Sequence, residues 1–465
     1  MSFVSPEFAL LALIFFPVYW ALHRHRALQL GFLTVSGYAL YATWSVQFAC
    51  ILLIFSVYVW LAGRWLHAST THRPRKLWFI VSVLVSLVLL LASKYYEFVR
   101  QLLTDLMLNI GLQVFLPAID LVAPAGISFF TFQAVTYLAW QYESQAPRAS
   151  FLHLLLFLSF WPTLFAGPIM RARDFFAQLS GTQVGLPSQT PRAVYYLLLG
   201  LFQKMVLASW LASTFVDEAF KYPEAQTLIS SFSAIAGYSL QIFLDFAGYT
   251  LIVTGLALLL GFSLPINFRQ PYLARNLQDF WRRWHISLST FIRDYVYIPL
   301  GGNRHGFLQT QINILLAMVI SGLWHGANST FIIWGTLHGL GVVGVNLYDK
   351  AFGKDMPVAI SRLLTLAYVG LAWVFFRADT NEVALQLLAG LTRSVGNLDP
   401  QHGLLAVFIL SFFFLSARAE RIEQACLQQL TELKWIPLTL LVSSLGFMTI
   451  LLGPSGVPSF IYYRF

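Results

Sequence analysis

The chain has 465 residues, 58% of them hydrophobic and only 11% charged, against about 25% in an ordinary soluble protein. With two cysteines and unbroken apolar runs such as Leu77–Tyr96, it is not a soluble enzyme, a disordered chain or a disulfide scaffold. The strands of a membrane barrel would alternate where these runs do not, so a polytopic helical membrane protein is expected, and its +9 charge fits basic cytoplasmic loops rather than a nucleic-acid partner.

The first spans follow the charge rule. Span 1 covers Phe8–Leu22 and is followed by the basic loop His23–Arg26. No basic stretch precedes it and no small-residue cleavage site follows, so the helix is expected to be retained, with an external N-terminus. Leu28–Trp44, Gln47–Gly63 and Leu77–Lys94 are the next spans, and the basic stretch Arg64–Lys76 then falls on the same side as the first basic loop. Leu121–Trp140 and Phe151–Phe165 follow, then the basic stretch Ala166–Arg173. Ala193–Ala212 carries Gln203 and Lys204, which suits a span facing protein rather than lipid. Ser230–Phe262 is long enough for one long helix or two short ones.

Residues 263–305 are aromatic, basic and broken by Pro265, Pro271 and Pro299. Such a segment is expected to be re-entrant or interfacial, packed in protein or lining a wet cavity. Apolar helices resume at Gln311–Leu323, Phe331–Leu347, Pro357–Phe376, Leu404–Ser416 and Ile436–Leu452, with the amphipathic, non-membrane helix Ala417–Lys434 before the last. The expectation is one all-α membrane domain over residues 1–465, its core motifs in 120–380, with about 10–13 membrane helices.

Ionisable residues at membrane depth are costly and are functional candidates by default. SGLWHGANSTFIIWGTLHG (Ser321–Gly339) holds His325 and His338 in a nearly continuous apolar stretch. Gly322/Gly326 and Gly335/Gly339 have the spacing that lets helices approach closely. A turn at Ala327–Thr330 would leave His325 at a helix end, where an imidazole can move protons near neutral pH; the bland alternative is a buried histidine bonded to a carbonyl. In FWRRWHISLSTFIRDYVYIPLGGNR (Phe280–Arg304), a continuous helix would put Trp281, His285 and Ser289 on one face. Arg269–His305 carries six Arg and two Asp, which suits a phosphorylated or carrier-bound donor, or equally an interfacial anchor among lipid phosphates. Asp245, with Gln241 and Tyr249 nearby, needs a partner, for which an Arg or a His is expected. P-loop, G-x-S-x-G and H-E-x-x-H motifs are absent, which leaves histidine-based acyl transfer as the economical chemistry.

WRRWHISLSTFIRDYVYIPLGGNR followed by SGLWHGAN resembles the membrane-bound O-acyltransferase family. PAGISFFTFQAVTYLAW, FAGPIMRARDF, LDFAGYT, INFRQPY and AWVFFRAD are similar to its bacterial branch of alginate O-acetylation and teichoic-acid D-alanylation proteins, and the resemblance covers roughly residues 1–380. It implies a multi-helix fold around a central funnel or tunnel, with His325 at the acyl-transfer centre. His285, 40 residues earlier, matches the second family histidine, a position often held by Asn and better suited to lining the tunnel. Arg282 and Arg283 match the basic donor region; Trp281, Trp284, Ser289, Asp245, Trp324 and Asn328 are the further candidates for the donor site and tunnel. The chain departs at Asp245–Leu251, reading DFAGYTL where alginate-system relatives read close to DFSGYSD; the lost second acid raises cellulose acetylation as another system.

The resemblance implies acetyl transfer to an exopolysaccharide across a bacterial inner membrane. Acetyl-CoA or another acetyl thioester would be co-substrate, with no tightly bound cofactor and no metal. Expected partners are membrane lipid, the polysaccharide acceptor and a periplasmic SGNH-type acetyltransferase. The alternatives are D-alanyl transfer to teichoic acid, acyl transfer to lipid, a proton-coupled transporter, or a non-catalytic scaffold of an export complex. No second copy of the WHIS or WHG motif marks an inverted repeat, which weighs against the transporter.

Overall fold

The computed structural model describes residues 2–69, 71–112, 117–118, 122–143, 146–179, 189–353 and 356–454, all of them helix or connecting segment, with no strand among them. They form two compact units, one of residues 1–189 with 256–265, the other of residues 190–255 with 266–465.

In the first unit, α1 (Pro6–Ala21), α2 (Arg26–Ala42), α3 (Val46–Ala68) and α4 (His72–Asn109) follow the four expected spans, α4 running well past Lys94. Local chemistry sets their starts. Ser5 and Ser45 accept the amides of Phe8 and Phe48 at 3.3 and 3.4 Å, capping α1 and α3. Next come α5 (Ile127–Tyr142), α6 (Phe151–Leu158), α7 (Trp161–Leu164) and α8 (Ala172–Leu179). The start of the expected Leu121–Trp140 span, Leu121 itself, lies outside the described residues. Phe151–Phe165 is not one span. Ser159 and Phe160 break it, and Pro162, which has no amide to donate, begins a separate turn.

The second unit begins with α9 (Thr190–Lys221), which loosens into π-helix at Phe202–Ala208 and Ala212–Val216. Of the two options for residues 230–262, the chain takes the single long helix, α10 (Leu228–Leu259). The most apolar window of α10 is 78% buried, against 17% for α4, so α10 is an interior helix and α4 a peripheral one. Residues 260–306 contain only a 3-10 turn at Pro271–Leu273, the short helices α11 (Leu277–Trp281) and α12 (Ile286–Ile292) and a π-turn at Arg293–Tyr297, consistent with a segment that does not cross as an ordinary helix. Then come α13 (Phe307–His325), α14 (Ser329–Phe352), α15 (Val358–Arg377), α16 (Asn381–Gly390), α17 (Pro400–Ser416), α18 (Ala419–Glu432) and α19 (Trp435–Leu452). Helix α18 is the expected amphipathic helix, bent 72° from α17.

Among the described residues, seven helices are long and apolar enough to cross a membrane, or eight if α17 and α18 count as one bent span. The other apolar stretches that contributed to the larger expected number are shorter or broken helices.

Candidate active site

The broken segment 260–306 is held by a short backbone clasp. The amide of Arg269 donates to the carbonyl of Arg283 and that of Ile286 to the carbonyl of Asn267, both at 2.9 Å. The Asn267 side chain tightens the clasp: its Oδ1 accepts from Ser287 Oγ at 2.6 Å and from the Ser287 amide at 3.3 Å. Between these anchors His285 is forced into the left-handed region, φ 42° and ψ 53°. A side chain there costs about 1–2 kcal/mol, and such strain collects at functional sites. The expected single face of Trp281, His285 and Ser289 is therefore not formed. Helix α11 ends at Trp281, and α12 starts only after the left-handed His285. The Ser289 hydroxyl donates back to the Trp284 carbonyl at 3.1 Å.

His285 is 1% exposed, its ring edge-on to Phe246 of α10 at 4.7 Å. Desolvation in this setting pushes its imidazole down from the ordinary 6.5 to about 3, so it is a neutral group at physiological pH.

His325 is placed by a tight helical hairpin. A Cβ on Gly322 would lie 2.3 Å from the Phe331 carbonyl oxygen and 3.2 Å from the Gly335 Cα, so the backbones of α13 and α14 touch, as the glycine spacing predicts. His325 is the last residue of α13. The turn after it is held by Asn328, whose Oδ1 accepts the Thr330 amide at 3.1 Å and whose Nδ2 donates to the Asp379 carbonyl at 2.8 Å. The Asn328 amide thus shapes the turn. His325 is 4% exposed, in a wall of rings: Trp324 at 4.7 Å, Phe376 at 4.9 Å, Trp334 at 5.0 Å and Phe331 at 6.3 Å. Trp324 also lies 6.1 Å from His285, so a single indole links the two histidines.

The remaining candidates divide. Trp284 is buried, stacked on Phe280 at 5.6 Å and against Trp373 at 4.9 Å. Arg282 is exposed, and Arg283 pairs with Asp279 at 2.7 Å one turn away. Arg269, Arg275, Arg293 and Arg304 are exposed on the same segment, so a cationic surface adjoins the buried histidines along the chain. Asp245 is paired with Lys204 of α9, not with the expected Arg or His. The signal for Lys204 was its polar place in an apolar span; for Asn267 it was the INFRQPY stretch. Nothing local identified Trp334 or Phe376 as the neighbours of His325, because those contacts join separate helices.

Residues 32–376 match the membrane-bound O-acyltransferase family. The chain is 34% identical to a peptidoglycan O-acetyltransferase of Helicobacter pylori, over 77% of this chain and 73% of the relative. It is equally 34% identical to a probable alginate O-acetylase of Pseudomonas syringae, over 80% of this chain and 72% of the relative. A teichoic acid D-alanyltransferase of Bacillus subtilis is 27% identical over 56% of this chain and 68% of its own length.

Proposed function

The chain belongs to the membrane-bound O-acyltransferase family and is a multi-pass membrane O-acyltransferase, and from that premise we propose that it moves acetyl groups from a cytoplasmic thioester toward a cell-envelope glycan by way of His325. The observation that carries this reading is the placement of His325. It ends a helix inside an aromatic wall, one indole from the neutral His285, whose own segment carries the exposed arginines.

The donor is acetyl-CoA or another acetyl thioester, its phosphorylated end held by the arginines of residues 269–304, Arg282 among them. The His325 imidazole takes the proton of an acceptor hydroxyl as its oxygen attacks the thioester carbonyl. The tetrahedral intermediate collapses with loss of the C–S bond. The proton then passes from the imidazolium to the departing thiolate, leaving an oxygen ester and a free thiol. His285 lines the path, and the ring wall excludes water that would hydrolyse the thioester. The acceptor is a sugar hydroxyl, reached directly or through a periplasmic SGNH-type acetyltransferase, in a bacterial inner membrane.

A glycan acceptor is favoured over teichoic acid because relatives matched over 77% and 80% of this chain are named for peptidoglycan and alginate, whereas the D-alanyltransferase match covers 56% of it. The test is ester-linked acetate on envelope glycans in strains with wild type, His325→Ala or His285→Ala at matched membrane abundance. His325→Ala should abolish it and His285→Ala reduce it. Undiminished acetate in His325→Ala would sink the reading and advance the scaffold or transporter alternatives.

A further inference from the structure

Next to the histidine pair is a third buried imidazole. His338, on α14, is fully buried in a closed triangle of rings, 5.0 Å from Trp281 and 4.8 Å from Trp334, which are 5.8 Å from each other, every pair edge-to-face. Phe280 stacks on the imidazole at 6.0 Å. Both ring nitrogens of His338 and the indole nitrogens of Trp281 and Trp334 are inaccessible to solvent and have no hydrogen-bond partner among the described residues. Buried polar atoms are nearly always partnered, and a triangle needed for packing alone would be served by phenylalanine. Three ring N–H groups in one desolvated place suit an oxygen that accepts hydrogen bonds.

Two further observations say which oxygen. Trp334 is shared: its other flank is the His325 ring at 5.0 Å, so the triangle lies one indole from the acyl-transfer histidine. Helix α11 also meets α14 at a second, partly exposed level, where Gln278 donates to Asn346, and Asn346 donates to Gln311 Oε1 at 2.8 Å. The α11–α14 seam therefore carries a polar cluster at its partly exposed end as well as the buried triangle, and α11 continues directly into Arg282 and Arg283 of the donor surface.

We propose that Trp281, Trp334 and His338 form a subsite for the carbonyl oxygen of the acyl thioester, donating hydrogen bonds that orient the donor before His325 acts. This rests on the acyl-transfer reading above and adds a binding role for His338.

The experiment uses the full-length protein in lipid nanodiscs and two unreactive probes, S-(2-oxopropyl)-CoA and S-propyl-CoA, which differ by one carbonyl oxygen. By titration calorimetry the wild type should prefer the oxo compound by roughly tenfold. His338→Phe and Trp281→Phe should each lower that ratio of affinities, and the double variant should abolish it. An undiminished preference in the double variant, or none in the wild type when both probes bind, overturns the subsite; water alone at these nitrogens would give the first result.

Acetate measured in cells gives a readout independent of the donor's identity. His338→Phe should lower it about tenfold at unchanged membrane abundance, with partial rescue by His338→Gln. Acetate within about twofold of wild type in His338→Phe overturns the subsite whichever thioester is used. If neither probe binds the wild type, the CoA donor is wrong and the cell measurement decides the subsite. If His325→Ala keeps full acetate, the acyl-transfer reading itself has failed.

Discussion

Lys204 and Asp245 form a salt bridge with both side chains almost wholly removed from solvent, Lys204 at 2% exposure and Asp245 at 9%. Two glycines make the pair possible. A Cβ on Gly200 would lie 2.6 Å from the Gly248 carbonyl oxygen, and one on Gly248 would lie 2.8 Å from that of Gly200, so α9 and α10 touch beside the pair. The lysine also sits in a π-helical stretch, a distortion frequent at functional positions.

Removing one member of a buried pair leaves the other charge uncompensated, at a typical cost of about 3–5 kcal/mol. Lys204→Met is expected to lower the thermal midpoint of the nanodisc-embedded protein sharply. The double variant Lys204→Met/Asp245→Leu should melt higher than Lys204→Met alone, because it also removes the buried carboxylate that the lysine had paired. Equal midpoints for Lys204→Met and wild type would show that the pair contributes nothing.

The left-handed backbone of His285 separates its conformational role from its chemical one. His285→Asn and His285→Gly meet the φ of 42° more easily and should fold at least as well as wild type. His285→Val places a β-branched side chain there and should lose about 1–2 kcal/mol of stability. Acetyl transfer should fall in His285→Gly despite its stability, since the imidazole is gone. Full activity in His285→Gly would reduce His285 to a turn residue.

Touching backbones hold His325 in place, so steric tolerance should be sharply local. Gly322→Ala drives a methyl to within 2.3 Å of the Phe331 carbonyl oxygen and should reduce the yield of monodisperse protein and displace His325. Gly344→Ala, on α14 and with nothing within 4 Å, should be neutral or stabilising by up to ~1 kcal/mol through helix propensity. Fluorescence-detected size exclusion compares the two, and equal yields would remove the close crossing as the cause.

Much of this was legible in the chain itself. Apolar run length marks the helices because lipid satisfies no backbone group, so any stretch that crosses must bond internally. His325 at a helix end followed from the expected turn at Ala327–Thr330, and Asn328 indeed caps the next helix. What local pattern misjudged was Phe280–Arg304. Trp281, His285 and Ser289 have helical spacing, yet Asn267 binds back onto residues 286 and 287, and those bonds override the local preference.

By itself, then, the sequence determined a helical membrane protein, its broken basic segment and the place of His325 at a helix end, because each depends on neighbours within a few turns. Only the tertiary structure decided that His285 occupies a strained turn, that Asp245 answers to a lysine 41 residues away, and that Trp334 is shared by His325 and His338. Those relations join segments whose mutual approach is set by glycine contacts and ring packing between helices, and helical periodicity carries no record of which faces will meet.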